Sequence, residues 1–148
     1  MLDETDRRII SVLQSDARAS MRSIAEKAGV SLGTVSNRVR RLEKAGVIRG
    51  YSVQLDPELS GWDLTVVIGL RIQKGRLIEI QEKIAQDNRV YGAYDVTGDF
   101  DSMIIARARD RRDLDDLSKN VLSIDGVDSS VTHLVLNTVK ESSTVLAE

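Results

Sequence analysis

Residues 31–45, SLGTVSNRVRRLEKA, gather the side chains best suited to grip a polyanion and read its bases. Arg can hold guanine O6 and N7 with two hydrogen bonds, Asn can do the same for adenine, and Ser or Thr can reach base or phosphate. Placed at about 100° per residue, Leu32, Val35, Val39 and Leu42 fall within about 80° of one another, which is an inward apolar stripe. The opposite side holds Gly33, Thr34, Asn37, Arg40, Arg41 and Lys44, with Ser36 and Arg38 on the flanks. Glu43 is the lone acid and lies off that face. Gly33, near the helix start, permits close approach of a nucleic-acid backbone. Arg18 and Arg22, with Lys27 further along, are placed for phosphates if the preceding helix crosses the sugar-phosphate chain. An ordinary solvated basic face is the competing reading of one such helix. Its neighbours, a short turn before and strands after, favour a reading helix in the major groove of double-stranded DNA. The chain's five aromatics do not interleave with the basic patch, which disfavours base stacking on single strands or RNA.

The rest of the chain is poor in catalytic chemistry. There is no cysteine and one histidine, His133, so disulfides, thiolate zinc sites and cysteine nucleophiles are excluded. No phosphate loop appears, and no serine, histidine and acid arrangement can be built. The pairs Asp99/Asp101 and Asp115/Asp116 lack the further ligands that a metal site needs. The segment Gly98-Asp99-Phe100-Asp101 reads, by residue type alone, as a tight turn.

These residues need a scaffold, and the spacing supplies one. Asp3 caps a first helix with Asp6 three residues on, and Ile9, Ile10 and Leu13 follow at helical spacing. Asp16-Ala17-Arg18 breaks it. Ser20 caps a second helix through Ala28, Gly29 stops it, and Ser31 caps a third running to about Ala45 before Gly46. The turn Gly29-Val30-Ser31 is the short connection of a helix-turn-helix. Val47 to Leu55 then reads as one or two strands, giving a winged variant. The single proline, Pro57, lies in the polar stretch Asp56 to Gly61, where a domain boundary is expected. Beyond it come a strand at 65–72, a helix at 77–87, strands at 90–97 and 102–108, a helix through Leu114, Leu117, Val121 and Leu122, and a strand at 129–139. The order is βαββαβ. The fold class expected is therefore α+β: a winged helix-turn-helix joined to a ferredoxin-like domain. Residues 1–50 form the DNA-binding part, 51–61 a connecting strand and hinge, and 62–148 the second domain. Two helices on one face of a four-stranded sheet leave the other face bare, and a second copy of the same sheet is the economical cover.

Charge agrees with this division. Residues 1–55 carry ten Lys or Arg against six Asp or Glu, and residues 56–148 carry eleven against seventeen, so a near-neutral chain hides a basic first third. No run approaches the ~20 apolar residues that span a bilayer, and MLDETDRR lacks the pattern of a signal peptide. A cytoplasmic protein without membrane partner or cofactor is expected.

The motifs also resemble a known family, the Lrp/AsnC or feast/famine transcription regulators. The matching residues are Asp3-Glu4-Thr5-Asp6 before Ile9-Ile10-Leu13, Asp16-Ala17-Arg18, Ile24-Ala25, Gly29-Val30-Ser31, Val39-Arg40-Arg41-Leu42-Glu43 and Gly46-Val47-Ile48 leading to Gly50-Tyr51. In the second domain they are Val96-Thr97-Gly98-Asp99-Phe100-Asp101 and the closing strand through Val139-Lys140. The resemblance covers essentially the whole chain. It implies a regulator whose second (RAM) domain pairs through its sheets into dimers and assembles further into tetramers or octamers. It also implies that the segment Tyr51 to Leu55 helps hold two DNA-binding units together. Many members bind an amino acid between dimers. By that resemblance Thr97, Gly98, Asp99, Phe100 and Asp101 line the effector turn, Thr132 and Leu134 stand on an opposing strand, and Asp101 is a partner for an α-ammonium group.

Two other functions remain to be weighed. Siroheme decarboxylases resemble this family in architecture yet act on a tetrapyrrole, and would need histidines and cations against propionates; this chain offers only His133. A helical unit turned into a protein-docking platform would have no use for Asn37, Arg40 and Arg41 on one face.

Overall fold

The computed structural model describes residues 1–142. The last six residues of the expected second domain, 143–148, lie outside the described residues. The chain divides into two compact units, Met1–Gln54, with which Lys140 and its described successors group, and Leu55–Val139.

The first unit contains α1 (Glu4–Ser15), α2 (Met21–Ala28) and α3 (Leu32–Lys44). Each helix begins on a side-chain cap. Asp3 and Asp6 form a reciprocal capping box, Ser20 Oγ accepts from the Ser23 amide at 3.1 Å, and Ser31 Oγ accepts from the Thr34 amide at 3.1 Å. Gly29 ends α2 at φ 69°, a left-handed conformation that a residue with a Cβ adopts at a cost. Ile9, Ile24, Ala25, Ala28, Val35 and Val39 form one buried cluster. Leu32, expected in that stripe, is 51% exposed and is not part of the cluster, which takes Val35 and Val39 from this helix.

The strands expected over 47–55 do not form within one chain. The amides of Val47 and Ile48 are both spent on the Leu42 carbonyl, at 3.0 and 3.2 Å, closing the end of α3. Among the described residues, 51–55 find no ladder partner, and Val53 is 84% exposed.

The second unit is a four-stranded antiparallel sheet with two helices, in the order β1 (Leu64–Ile72), α4 (Leu77–Ile84), β2 (Val90–Asp95), β3 (Ser102–Ala108), α5 (Arg111–Leu122) and β4 (Val127–Leu134). The strands lie β2-β3-β1-β4 across the sheet. That is the expected βαββαβ topology, with the apolar residues of β1 and β3 central. Val66, Ile68, Leu70, Ile104 and Ala106 pack with Ile80, Ile84, Leu117 and Val121 of the helices. The last strand stops at Leu134, short of the expected 139. Its final ladder bond runs from Val135 N to Thr65 O, and β1 begins at Leu64, so among the described residues those beyond have no strand to pair with. Leu136 and Val139 are accordingly exposed. Helix α4 and strand β2 are likewise shorter than read from the sequence, ending at Ile84 and Asp95.

Candidate nucleic-acid interface and effector turn

Helix α3 is positioned by its own sequence: the Ser31 cap fixes its start, and Val35, Val39 and Leu42 anchor it inward. Gly33, Asn37, Arg40 and Lys44 are exposed, while Thr34 and Ser36 are half-buried. Thr34 Oγ1 lies 2.9 Å from Ser31 Oγ, so both hydroxyls take part in the cap. A Cβ built on Gly33 meets nothing within 4 Å, so the fold itself does not require glycine there. Arg18, Arg22 and Lys27 are exposed around α2.

Two arginines of α3 also reach the carboxylates at the start of α1. Arg41 Nη2 bonds both oxygens of Asp6, at 2.7 and 2.6 Å, and Arg38 Nη1 bonds Asp3 and, at 3.3 Å, Asp6 Oδ1. Arg41 was expected beside Arg40 on the outward face. Its side chain is 55% exposed, and its guanidinium also reaches Asp6, because that carboxylate is 0% exposed and a buried carboxylate needs a cationic partner. The Asp6 amide and the Arg38 guanidinium hold the Asp3 carboxyl below the usual carboxylate range. Asp3 and Asp6, the capping residues of α1, have a second role as counterions to α3 that capping spacing alone does not show. Arg38 and Arg41, three apart on α3, matched Asp3 and Asp6, three apart on α1, and that spacing was the available signal.

The turn 97–101 is built on the sheet. Asp101 N donates to Leu70 O at 2.9 Å, Asp101 Oδ2 accepts from Ile72 N at 2.8 Å, and Val96 N donates to Asp101 O at 3.2 Å. One oxygen of Asp101 therefore braces the turn against β1. Thr97, Gly98 and Asp99 are exposed, and Gly98 has φ 109°. Phe100 folds back over Gly69 so closely that a Cβ there would come within 2.8 Å of its ring. Register separates the rest of the expected site. Thr132 pairs with Ile68 and Leu134 with Val66, both core-facing, so these two lie on the helix side of an edge strand. Val131 pairs with Gly69 and His133 with Val67, which puts them on the bare face with Phe100. The structure thus brings 97–101 together and leaves Thr132 and Leu134 on the other side of the same chain's sheet.

That bare face carries Val67, Met103, Ile105, Tyr94 and Val131, with Tyr91 beneath the Arg107 guanidinium at 4.7 Å. Tyr91, Tyr94 and Val131 are exposed large hydrophobics. Behind β2, Arg89 bonds Asp87, Asp113 and Asp116, and Arg109 bonds Asp113 with its backbone and side chain. These contacts, Arg109's first, hold the Asp113 carboxyl far below its usual range. Among the described residues there is no group of three or more metal-ligating side chains, and no helix long and apolar enough to cross a membrane.

A capped helix-turn-helix joined to a βαββαβ domain defines a two-domain DNA-binding regulator. A winged helix-turn-helix DNA-binding model matches residues 2–49, and the Lrp/AsnC ligand-binding domain matches residues 65–145. The chain belongs to the Lrp/AsnC family of transcriptional regulators, whose members regulate transcription and are not enzymes. It is 46% identical over 141 residues to an uncharacterised HTH-type transcriptional regulator of Pyrococcus abyssi, covering 95% of this chain and 96% of the relative. It is 35% identical to the HTH-type transcriptional regulator LrpA of Pyrococcus horikoshii, again over 95% of this chain and all of the relative. Among solved structures, Escherichia coli AsnC superposes with a TM-score of 0.91 at 27% identity, over 99% of each chain. A feast or famine regulatory protein of Mycobacterium tuberculosis in complex with L-methionine gives 0.88 at 29% identity, over 99% of this chain and all of the other.

Proposed function

We propose that this DNA-binding regulator is sequence-specific and works as a homodimer or larger assembly whose DNA binding changes with a small amino acid. The observation that carries the DNA reading is the exposed row Gly33, Asn37, Arg40 and Lys44 on a helix whose other side is buried. Asn37 and Arg40 read base edges, and Lys44, Arg18 and Arg22 meet phosphates. Residues 1–50 form the reading domain, 51–61 the connection, and 62–148 the assembly and effector domain. The bare, aromatic-rich sheet face pairs with its copy, and the unladdered segment 51–55 helps hold the two DNA-binding units of that dimer together. Thr97, Gly98, Asp99 and the remaining oxygen of Asp101 receive the effector's ammonium and carboxylate groups, with Thr132 and Leu134 contributed by a neighbouring subunit. The L-methionine complex of the mycobacterial neighbour supports an amino acid as the ligand class. The protein is expected to act on chromosomal DNA in the cytoplasm.

The test is fluorescence anisotropy against the gene's own upstream DNA and a scrambled fragment, at two salt concentrations, with and without L-methionine and a mixture of amino acids. Preference for the upstream fragment that survives the higher salt and changes with amino acid is the expected result. Equal, salt-sensitive binding to both fragments would remove sequence specificity at that locus.

A further inference from the structure

Helix α3 displays four cations, Arg38, Arg40, Arg41 and Lys44, but α1 answers two of them. Asp6 cannot let go. It is fully buried, its Oδ2 accepts from Asp3 N at 3.1 Å and from Arg41, and its Oδ1 accepts from Arg41 and Arg38. Asp3 differs: its side chain is half exposed, its Oδ1 caps α1 through the Asp6 amide at 2.8 Å, and its Oδ2 is the closer anchor of Arg38. Without that second oxygen's charge, Arg38 keeps only the 3.3 Å contact to Asp6. A guanidinium neutralised by an internal carboxylate releases no counterion from DNA, whereas a free one adds its share to every phosphate encounter.

We propose that Asp3 is an internal counterion that holds Arg38 off the DNA phosphates and so limits sequence-independent affinity. The inference rests on α3 being the DNA-facing helix. Loosely docked, non-specific complexes accept any mobile cation, while a complex in register uses those that geometry aims. Tethering Arg38 therefore weighs most heavily on the former.

Asp3→Asn is the informative variant, because Asn caps a helix about as well as Asp while carrying no charge. Thermal melts followed by circular dichroism confirm that the helical unit is retained. On scrambled DNA, the plot of log K against log salt should steepen by about 0.9 per DNA-binding unit, an added ~3.5-fold loss of affinity between 50 and 200 mM salt. Arg38→Gln should leave the wild-type slope unchanged, and the double variant should restore it. A flatter slope in Arg38→Gln would mean that Arg38 already meets phosphate, and an unchanged slope in Asp3→Asn would mean that Arg38 stays held without the charge; either overturns the proposal. Arg40→Ala separates the levels. If it weakens binding while Asp3→Asn changes nothing, only this proposal falls. If neither variant alters binding, the DNA-facing assignment of α3 falls with it.

Discussion

Each unit of the molecule sinks one aspartate beneath two arginines, and the two clusters serve opposite ends. Asp113, 8% exposed, receives Arg89 and Arg109, which tie the start of β2 and the end of β3 to the first turn of α5. Those arginines have no part in the proposed DNA contacts. Asp6, 0% exposed, receives Arg38 and Arg41 from the helix that displays the DNA-reading residues. There the same buried pairing also subtracts charge from a functional surface. A buried carboxylate demands cations in either place; what differs is whether those cations had another use.

The largest effects should come from breaking the clusters one at a time. Asp113→Ala removes the acceptor shared by Arg89 and the Arg109 amide, while Arg89 keeps Asp87 and Asp116, and is expected to cost about 2–3 kcal/mol. Trp62, the single tryptophan, lies in the second unit and reports its denaturant unfolding by fluorescence. Asp6→Ala should cost about 1–3 kcal/mol, since Arg41 is left facing solvent and Arg38 keeps Asp3; the loss is read by circular dichroism in the helical unit, with the Trp62 transition in place. If both variants moved one common transition, the two clusters would belong to a single cooperative fold. Acid sharpens the contrast. Because the Asp113 carboxyl is depressed in the folded state, its contribution is full above the unfolded value of about 3.9 and is lost as pH falls through the folded one. The Trp62 transition should weaken in acid, and Asp113→Asn should flatten that dependence.

The next effect compares cations on α3 itself. Asn37→Ala and Arg40→Ala should each cost about 2 kcal/mol on the preferred sequence, some 30-fold, in the anisotropy assay. Arg41→Ala should instead lower the melting temperature and spare the salt slope, since its charge is already answered by Asp6. A flattened slope for Arg41→Ala would erase the distinction between braced and reading arginines. Gly69→Ala comes after these. Its Cβ must displace the Phe100 ring, at roughly 1–2 kcal/mol, and sedimentation should show weakened self-association if that ring belongs to the paired face. Gly33→Ala should be smallest. It favours the helix by up to about 1 kcal/mol and has open space in the free protein, so any loss of DNA affinity isolates contact with the nucleic-acid backbone.

The parts legible in the sequence were those fixed locally. Asp3, Ser20 and Ser31 cap bonds three residues away, Gly29 ends α2 within its own turn, and the β-branched run of β1 carries its own preference. What distance decides was not legible. Arg41 and Asp6 are 35 residues apart, so a helical projection of α3 shows an outward arginine but not the buried carboxylate that it answers. The end of β4 is set by where β1 begins, not by the alternation that continues to Val139. The side of the sheet on which Thr132 and Leu134 stand follows from pairing with Ile68 and Val66. The segment 51–55 alternates like a strand, yet it is in no ladder among the described residues, because alternation alone does not bring a partner alongside.

The strand order β2-β3-β1-β4 also has a meaning in time. β1 is the first strand to leave the ribosome, yet both of its ladder neighbours lie downstream, and the second is complete only at Leu134. At about 5–20 residues per second, a nine-residue apolar strand waits several seconds with bare edges while the helical unit ahead of it has already closed its local contacts. Translation therefore passes through an interval in which three helices with their own buried cluster are tethered to an unfinished sheet. The rate of elongation across residues 72–134 should govern how much of this chain escapes aggregation.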